Sequence, residues 1–249
     1  MTIKEINELI ENEYTQKNIQ NDHDNWFPLM KYDEEYGVSK SLDAIQFLSL
    51  GLNPSLTDEF ARHIHYEIFG IQDKIDQKND SNNDFGRKEM YEKNKVAFTK
   101  KLIAYQSQLK YDDNEKISYF KHLETFFSEL QDSISFKEHV FHYDFCQLRH
   151  TDSKEMKTTI KENYKTLAGH LEKIIEVAQP KIIFIFNATL AKLLKDKNFF
   201  SLNHLDSELG CYFYKDIPVI LANQLSGGAT SSVYRELLIW NVNRIINNK

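Results

Sequence analysis

Two polar turns, each standing directly after an apolar run, hold the side chains of this chain best suited to chemistry. The first is Gly51-Leu52-Asn53-Pro54-Ser55, which follows Ile45, Phe47, Leu48 and Leu50. The second is Ala222-Asn223-Gln224-Leu225-Ser226-Gly227-Gly228, which follows Pro218 to Leu221. Pro54 fixes its own φ and biases Asn53 toward an extended backbone, so one side-chain amide is presented where a buried strand stops. An amide can orient a water or read a polar edge, but it is no base. A glycine-flanked loop with a serine offers backbone N–H groups and a hydroxyl, which suit a phosphate or a developing negative charge. Taken alone, the first motif reads equally as an ordinary strand-to-loop turn; the second turn favours the functional reading.

The elements that must position these turns follow from hydrophobic periodicity. Ile3, Ile6, Leu9, Ile10 and Tyr14 predict a short amphipathic helix over residues 3–20, followed by an irregular arm pinned by Trp26, Phe27 and Pro28. Ala44 to Leu50 reads as the first strand. Residues 57–136 read as a mostly helical insertion, with a candidate helix from Asp58 to Phe69, a polar loop around residues 77–84, and two apolar stripes. One stripe is Phe98, Leu102, Tyr105 and Leu109; the other is Ile117, Phe120, Leu123, Phe127 and Leu130. His139 to Cys146 reads as the second strand and the segment 147–152 as a polar turn. Tyr164 to Ala178 is the clearest amphipathic helix, stopped by Pro180. Lys181 to Phe186 is a near-continuous apolar strand of the type buried on both faces of a parallel sheet. Asn187 ends it and a helix starts at Ala188. Cys211–Tyr214 and Pro218–Leu221 predict a hairpin across Lys215-Asp216. Thr230 to Asn247 predicts a closing helix with Val233, Leu237 and Trp240 on one side. The alternation in the second half implies an α/β fold, and the 249 residues are read as one domain: an arm at 1–40, the insertion at 57–136 and an α/β half at 137–249.

Composition narrows the function classes. A hydrophobic content of 41% with 27% charged residues is that of a globular protein, and no apolar run reaches the roughly 20 residues of a membrane helix. The N-terminus lacks a signal-peptide pattern, which points to the cytoplasm. Cys146 and Cys211 make neither a disulfide framework nor a metal-ligand spacing and are expected to be buried and reduced. A net charge of −6 argues against a purely electrostatic nucleic-acid binder. Basic residues nevertheless cluster at Arg87, Lys88, Lys93, Lys95, Lys100, Lys101 and Lys110, and again at Arg149, His150, Lys154, Lys157, Lys161 and Lys165. Each cluster reads either as a solvated helix face or as a phosphate track. His63 and His65, two apart on a helical stretch, point to different faces and do not make a metal site.

With both turns placed, the order of parts resembles the uracil-DNA glycosylase superfamily. Gly51-Leu52-Asn53-Pro54-Ser55 looks like the family's first motif, closest to the mismatch-specific and single-strand-selective branches. Gln179-Pro180-Lys181-Ile182-Ile183-Phe184 is similar to its middle, and Asn223 to Gly228 stands where its last motif would be. The likeness spans roughly residues 44–247, and its sharp part is the first motif. It implies a three-layer α/β/α fold with a mostly parallel central sheet, the helical insertion following the first strand. It also implies a DNA N-glycosylase that works on double-stranded DNA as a monomer, without cofactor, metal or membrane. Such an enzyme extrudes a nucleotide and breaks its C1′–N bond through an oxocarbenium-like transition state.

By that resemblance, Asn53 positions the attacking water, while Asn223 and Ser226 stabilise the departing base, with the backbone around Gly227 and Gly228 holding a phosphate. Gln224 or Leu225 fills the space the base leaves, and Arg149 and His150 meet the DNA. Gly51, Leu52, Pro54, Ser55 and Asn187 line the substrate site, where Tyr66 or Phe69 stacks on the base unless these aromatics belong to the core. Two departures stand out. Gln224 replaces the proline of the last motif, and Asp144 stands where uracil-specific members carry Asn. A carboxylate only accepts hydrogen bonds and so suits the amino group of cytosine N4, although Asp144 could equally cap a loop or pair with Arg149. The preferred expectation is a bulky modified cytosine, such as the glucosylated hydroxymethylcytosine of some phage genomes, excised in antiviral defence. Repair of uracil or a mispaired pyrimidine, a catalytically silent nucleic-acid-binding or regulatory module, and a nucleotide or sugar hydrolase using the same α/β edge are the rival readings.

Overall fold

A computed structural model describes residues 5–10, 12, 45–52, 110, 118–130, 134–146, 153–197, 205–222, 225 and 231–247. The chain divides into two compact units, one comprising residues 1–39, 53–108 and 146–167, the other residues 40–52, 109–145 and 168–249. In the first unit, a helical stretch at 5–10 buries Ile6 and Ile10. A helix at Ser153–Glu162 buries Met156 and Ile160 while leaving Lys154, Lys157 and Lys161 exposed. These lysines lie on an exposed helix face, which either reading of the cluster allows.

The second unit is the α/β body. Its elements are β1 (Phe47–Gly51), α1 (Ser118–Leu130), α2 (Phe136–His139), β2 (Val140–Asp144), α3 (Tyr164–Ala178, whose first residues to Leu167 group with the other unit), β3 (Ile182–Ile185), α4 (Ala188–Asp196), β4 (Tyr212–Tyr214), β5 (Ile217–Leu221) and α5 (Ser232–Asn247). The strands form one sheet in the order β2-β1-β3-β5-β4. The first four run parallel and β4 pairs antiparallel with β5 as a hairpin. Lys215 takes a positive φ of 54° in the turn between them. The expected α/β architecture with a mostly parallel sheet is therefore present.

Every residue of β1, β2 and β3 is buried, as a parallel sheet covered on both faces requires. On one face Phe47, Val140, Ile182, Phe184, Phe186 and Ile220 pack with the apolar stripe of α1 and with Leu238, Val242 and Ile245 of α5. Phenylalanine dominates this layer: Phe127 lies 5.7 Å from Phe47, 5.2 Å from Phe184 and 5.9 Å from Phe136 by ring centroid. The other face belongs to α3 and α4. Glu172 and Glu176 of α3 act electrostatically on Tyr214, and Lys195 of α4 lies 5.9 Å from the Tyr212 ring. Tyr212 and Tyr214 alternate with Phe213, which packs on the α1 and α5 side. The handedness of parallel crossovers gives the same answer: a β1→β2 connection running one way across the sheet and a β2→β3 connection running back must use opposite faces.

One expectation about α5 is corrected. Val233, Leu237 and Trp240 are 62%, 59% and 58% exposed, and the buried side is Leu238, Val242 and Ile245. Both triplets have the same i, i+4, i+7 spacing, so periodicity alone could not choose between them. Trp240 carries the Arg244 guanidinium 4.7 Å from its ring centre, which gives an exposed aromatic a polar neighbour. Both cysteines are buried, as expected.

Candidate active site

The strand order sets where a ligand can bind. From β1 the chain crosses to β2 on one side and then returns past β1 to β3 on the other. In open α/β sheets the crevice beyond the carboxyl ends at such a reversal is the place where ligands lie. Here it is bounded by Gly51 and Leu52 after β1 and by Ile185 to Asn187 after β3. β5 runs parallel to both, so its end at Leu221-Ala222 opens on the same edge. Two strand spacings separate β1 from β5, about 10 Å. The two polar turns of the sequence therefore begin on one edge of one sheet.

Parallel pairing sets Phe47 beside Val140, Ser49 beside His142 and Gly51 beside Asp144. Strand alternation turns all six toward the α1 face. The first pair belongs to the aromatic core. The next two make a buried polar row that ends at the carboxyl edge. Ser49 Oγ lies 3.2 Å from His142 Nδ1, and His142 Nε2 lies 3.4 Å from Asp144 Oδ1, within ion-pair range. The His142 ring is clamped edge-to-face by Phe120, 5.0 Å away at 89°, and by Tyr119 at 5.8 Å. Both aromatics come from the first turn of α1.

This row explains Gly51. Its backbone is not among the positive-φ residues, so no left-handed turn demands glycine here. Instead, a Cβ at position 51 would overlap Asp144 Oδ1 and stand 3.1 Å from His142 Nε2. Glycine is required because the neighbouring strand aims a carboxylate at this backbone.

The row is ionisable in a desolvated place. Burial pushes the Asp144 carboxyl up, but the charge and hydrogen bond of His142, followed by the Lys110 ammonium, outweigh it and hold the group below the ordinary carboxylate value. Burial, with a smaller contribution from the Asp144 charge, pushes the Tyr119 phenol up and keeps it neutral. Lys110 is itself buried, 5.5 Å from the Phe120 ring centre. Burial lowers its pKa and Asp144 partly restores it. Lys110 is thus no part of a solvated basic face, and the expectation that grouped it with the exposed cluster is corrected. Ser49-His142-Asp144 has the residue types of a hydrolase triad in the wrong order of access: the serine is 0% exposed at the inner end and the carboxylate is outermost. Asp144 is the member of the row nearest the carboxyl edge of the sheet.

Among the other anticipated site residues, Leu52 directly follows β1. Asn187 caps α4, its Oδ1 accepting from Leu190 N at 2.9 Å, so its oxygen is committed to the helix. Leu225 is half-buried against the aromatic core, and a role in filling a vacated base position would require it to leave that packing. Asn53, Pro54, Ser55, Tyr66, Phe69, Arg149, His150, Asn223, Gln224, Ser226, Gly227 and Gly228 lie outside the described residues. His142, Ser49, Tyr119 and Lys110 were missed from the sequence. The available signal was a polar residue inside an apolar strand run, once in β1 and once in β2.

Among the described residues no cluster of His, Cys, Asp and Glu could hold a metal ion, and no helix is long and apolar enough to cross a membrane. No protein-family model matches the chain, and no curated protein matches it.

Proposed function

We propose that this protein is a DNA N-glycosylase that extrudes a modified pyrimidine from double-stranded DNA and hydrolyses its N-glycosidic bond, working as a monomer in the cytoplasm. The preferred substrate is a bulky modified cytosine of the kind found in phage genomes, and the role is defence by creating abasic sites. The observation that carries this reading is the pairing of Gly51 with Asp144. It puts an ionised carboxylate beside the strand end from which Asn53 follows two residues later.

The chemistry divides between the two. Asn53 orients the water that adds to C1′ as the bond to the base breaks. Asp144 accepts a hydrogen bond from the exocyclic amino group at position 4 of the pyrimidine, as a carboxylate suits cytosine N4. The loop after β5, with Asn223, Ser226 and the glycine N–H groups, balances the negative charge on the departing base. Fixed donors of this type are worth a factor of about 10² to 10³ in rate each.

Duplexes carrying uracil, a mispaired thymine, cytosine or glucosylated hydroxymethylcytosine test the proposal directly. Release of the modified cytosine is expected, with Asn53→Ala reducing it by about a hundredfold or more while DNA binding persists. Release of uracil alone, or of no base from any duplex, would overturn it. Binding without release would instead favour a catalytically silent module.

A further inference from the structure

We infer that His142, braced by Ser49, is a specificity-determining positioning residue: it holds the Asp144 carboxylate in its acceptor-only form and thereby selects a 4-amino over a 4-oxo pyrimidine. This rests on the glycosylase reading above and names how its site chooses a base. The geometry provides one fixed donor for one carboxylate. His142 Nε2 is 3.4 Å from Asp144 Oδ1, and the ring cannot turn away because Phe120 and Tyr119 clamp it.

Ser49 lets the Nε2 proton persist in both charge states of the imidazole. Its hydroxyl can donate to a neutral Nδ1 or accept from a protonated one, since a serine O–H rotates to suit. In both states Nε2 carries its proton within ion-pair range of Asp144. Among the described residues, the titratable and charged groups facing Asp144 are His142 from β2, Tyr119 from α1 and Lys110 from the helical residue preceding it; β1 contributes only the Ser49 hydroxyl and the Gly51 backbone. The phenol is neutral, so His142 and Lys110 are what oppose burial.

The consequence for the base follows from donor and acceptor counting. An ionised carboxylate accepts from a 4-amino group and repels a 4-oxo group. Once protonated it gains an O–H and can donate to the O4 of uracil or thymine. Burial favours that neutral form. Removing the histidine therefore lets burial prevail and admits 4-oxo bases. A histidine that merely supports the fold would affect both substrate classes alike.

The test is the ratio of kcat/KM for a modified-cytosine duplex to that for a matched uracil duplex, measured from about pH 4 to about pH 8, a range that begins near the ordinary aspartate value. In the wild type the ratio favours the 4-amino base throughout and falls only toward the acid end. In His142→Phe the fall begins at higher pH, and near and below the shifted midpoint the ratio is lower than in the wild type by up to about tenfold for each pKa unit gained. His142→Gln, which keeps a donor without the charge, lies between. Equal losses for both duplexes at every pH overturn the inference. Should His142→Phe fail to fold, Ser49→Ala still decides: a ratio that this variant leaves unmoved at every pH overturns the inference. Absence of any base release by the wild type defeats the glycosylase reading and this inference with it. Release with an unchanged ratio defeats this inference alone.

Discussion

One face of β1 and β2 is two different materials at its two ends. At the amino end Phe47 and Val140 lie side by side beneath Phe127 and Phe136, with neither strand residue more than 1% exposed. Two residues on, the same face holds Ser49 and His142, and two further on Gly51 and Asp144. The backbone geometry does not change between the ends. What changes is how the side chains are stabilised: dispersion and burial at one end, and a directed polar row that opposes burial at the other. The first end gives the sheet its stability. The second places a charged group at the edge where open α/β sheets bind ligands, braced so that it stays charged.

Substitutions at the two ends should therefore fail differently. Phe127→Ala removes the ring at the centre of the aromatic layer and should lower unfolding free energy by about 3–5 kcal/mol, read by denaturant titration. A loss under about 1 kcal/mol would mean that the aromatic end does not dominate stability. Gly51→Ala drives a methyl into the Asp144 carboxylate. It should cost base release about a hundredfold, the effect of an ångström of misplacement, with a smaller loss of stability than Phe127→Ala. The reverse ranking would erase the distinction between the ends.

Acid stability is a finer probe. The folded-state pKa of Asp144 is depressed, so its contribution is present above the unfolded value of about 3.9 and is lost as pH falls through the folded value. Asp144→Asn should flatten the acid limb of the stability–pH curve below about pH 4, while Phe127→Ala lowers the whole curve without changing its shape. The smallest effect is expected away from both ends: Leu237→Ser, on the exposed side of α5, should stay within about 0.5 kcal/mol of the wild type.

The framework was readable because apolar runs and stops are local signals. Pro180 and the run to Phe186 marked α3 and β3, and the Lys215-Asp216 turn marked the hairpin. Two things were not local. Which side of α5 is buried depends on the layer it meets, and both of its apolar triplets fit a helix. The polar row depends on the parallel register between strands whose paired residues, Ser49 and His142, are 93 positions apart. Asp144 stood out in the sequence as an acceptor, but its partner, the histidine two residues earlier on the same strand, was visible only once alternation had been assigned. Gly51 was read as a turn residue, and its actual constraint is the carboxylate opposite.

Whether the histidine neighbour holds the buried aspartate at this edge ionised is read by a ¹³C titration of the Asp144 carboxyl carbon. In the wild type the midpoint is expected below the ordinary aspartate value of about 3.9, moving upward in His142→Phe. A wild-type midpoint at or above that value, or one that does not move when His142 is replaced, would contradict it.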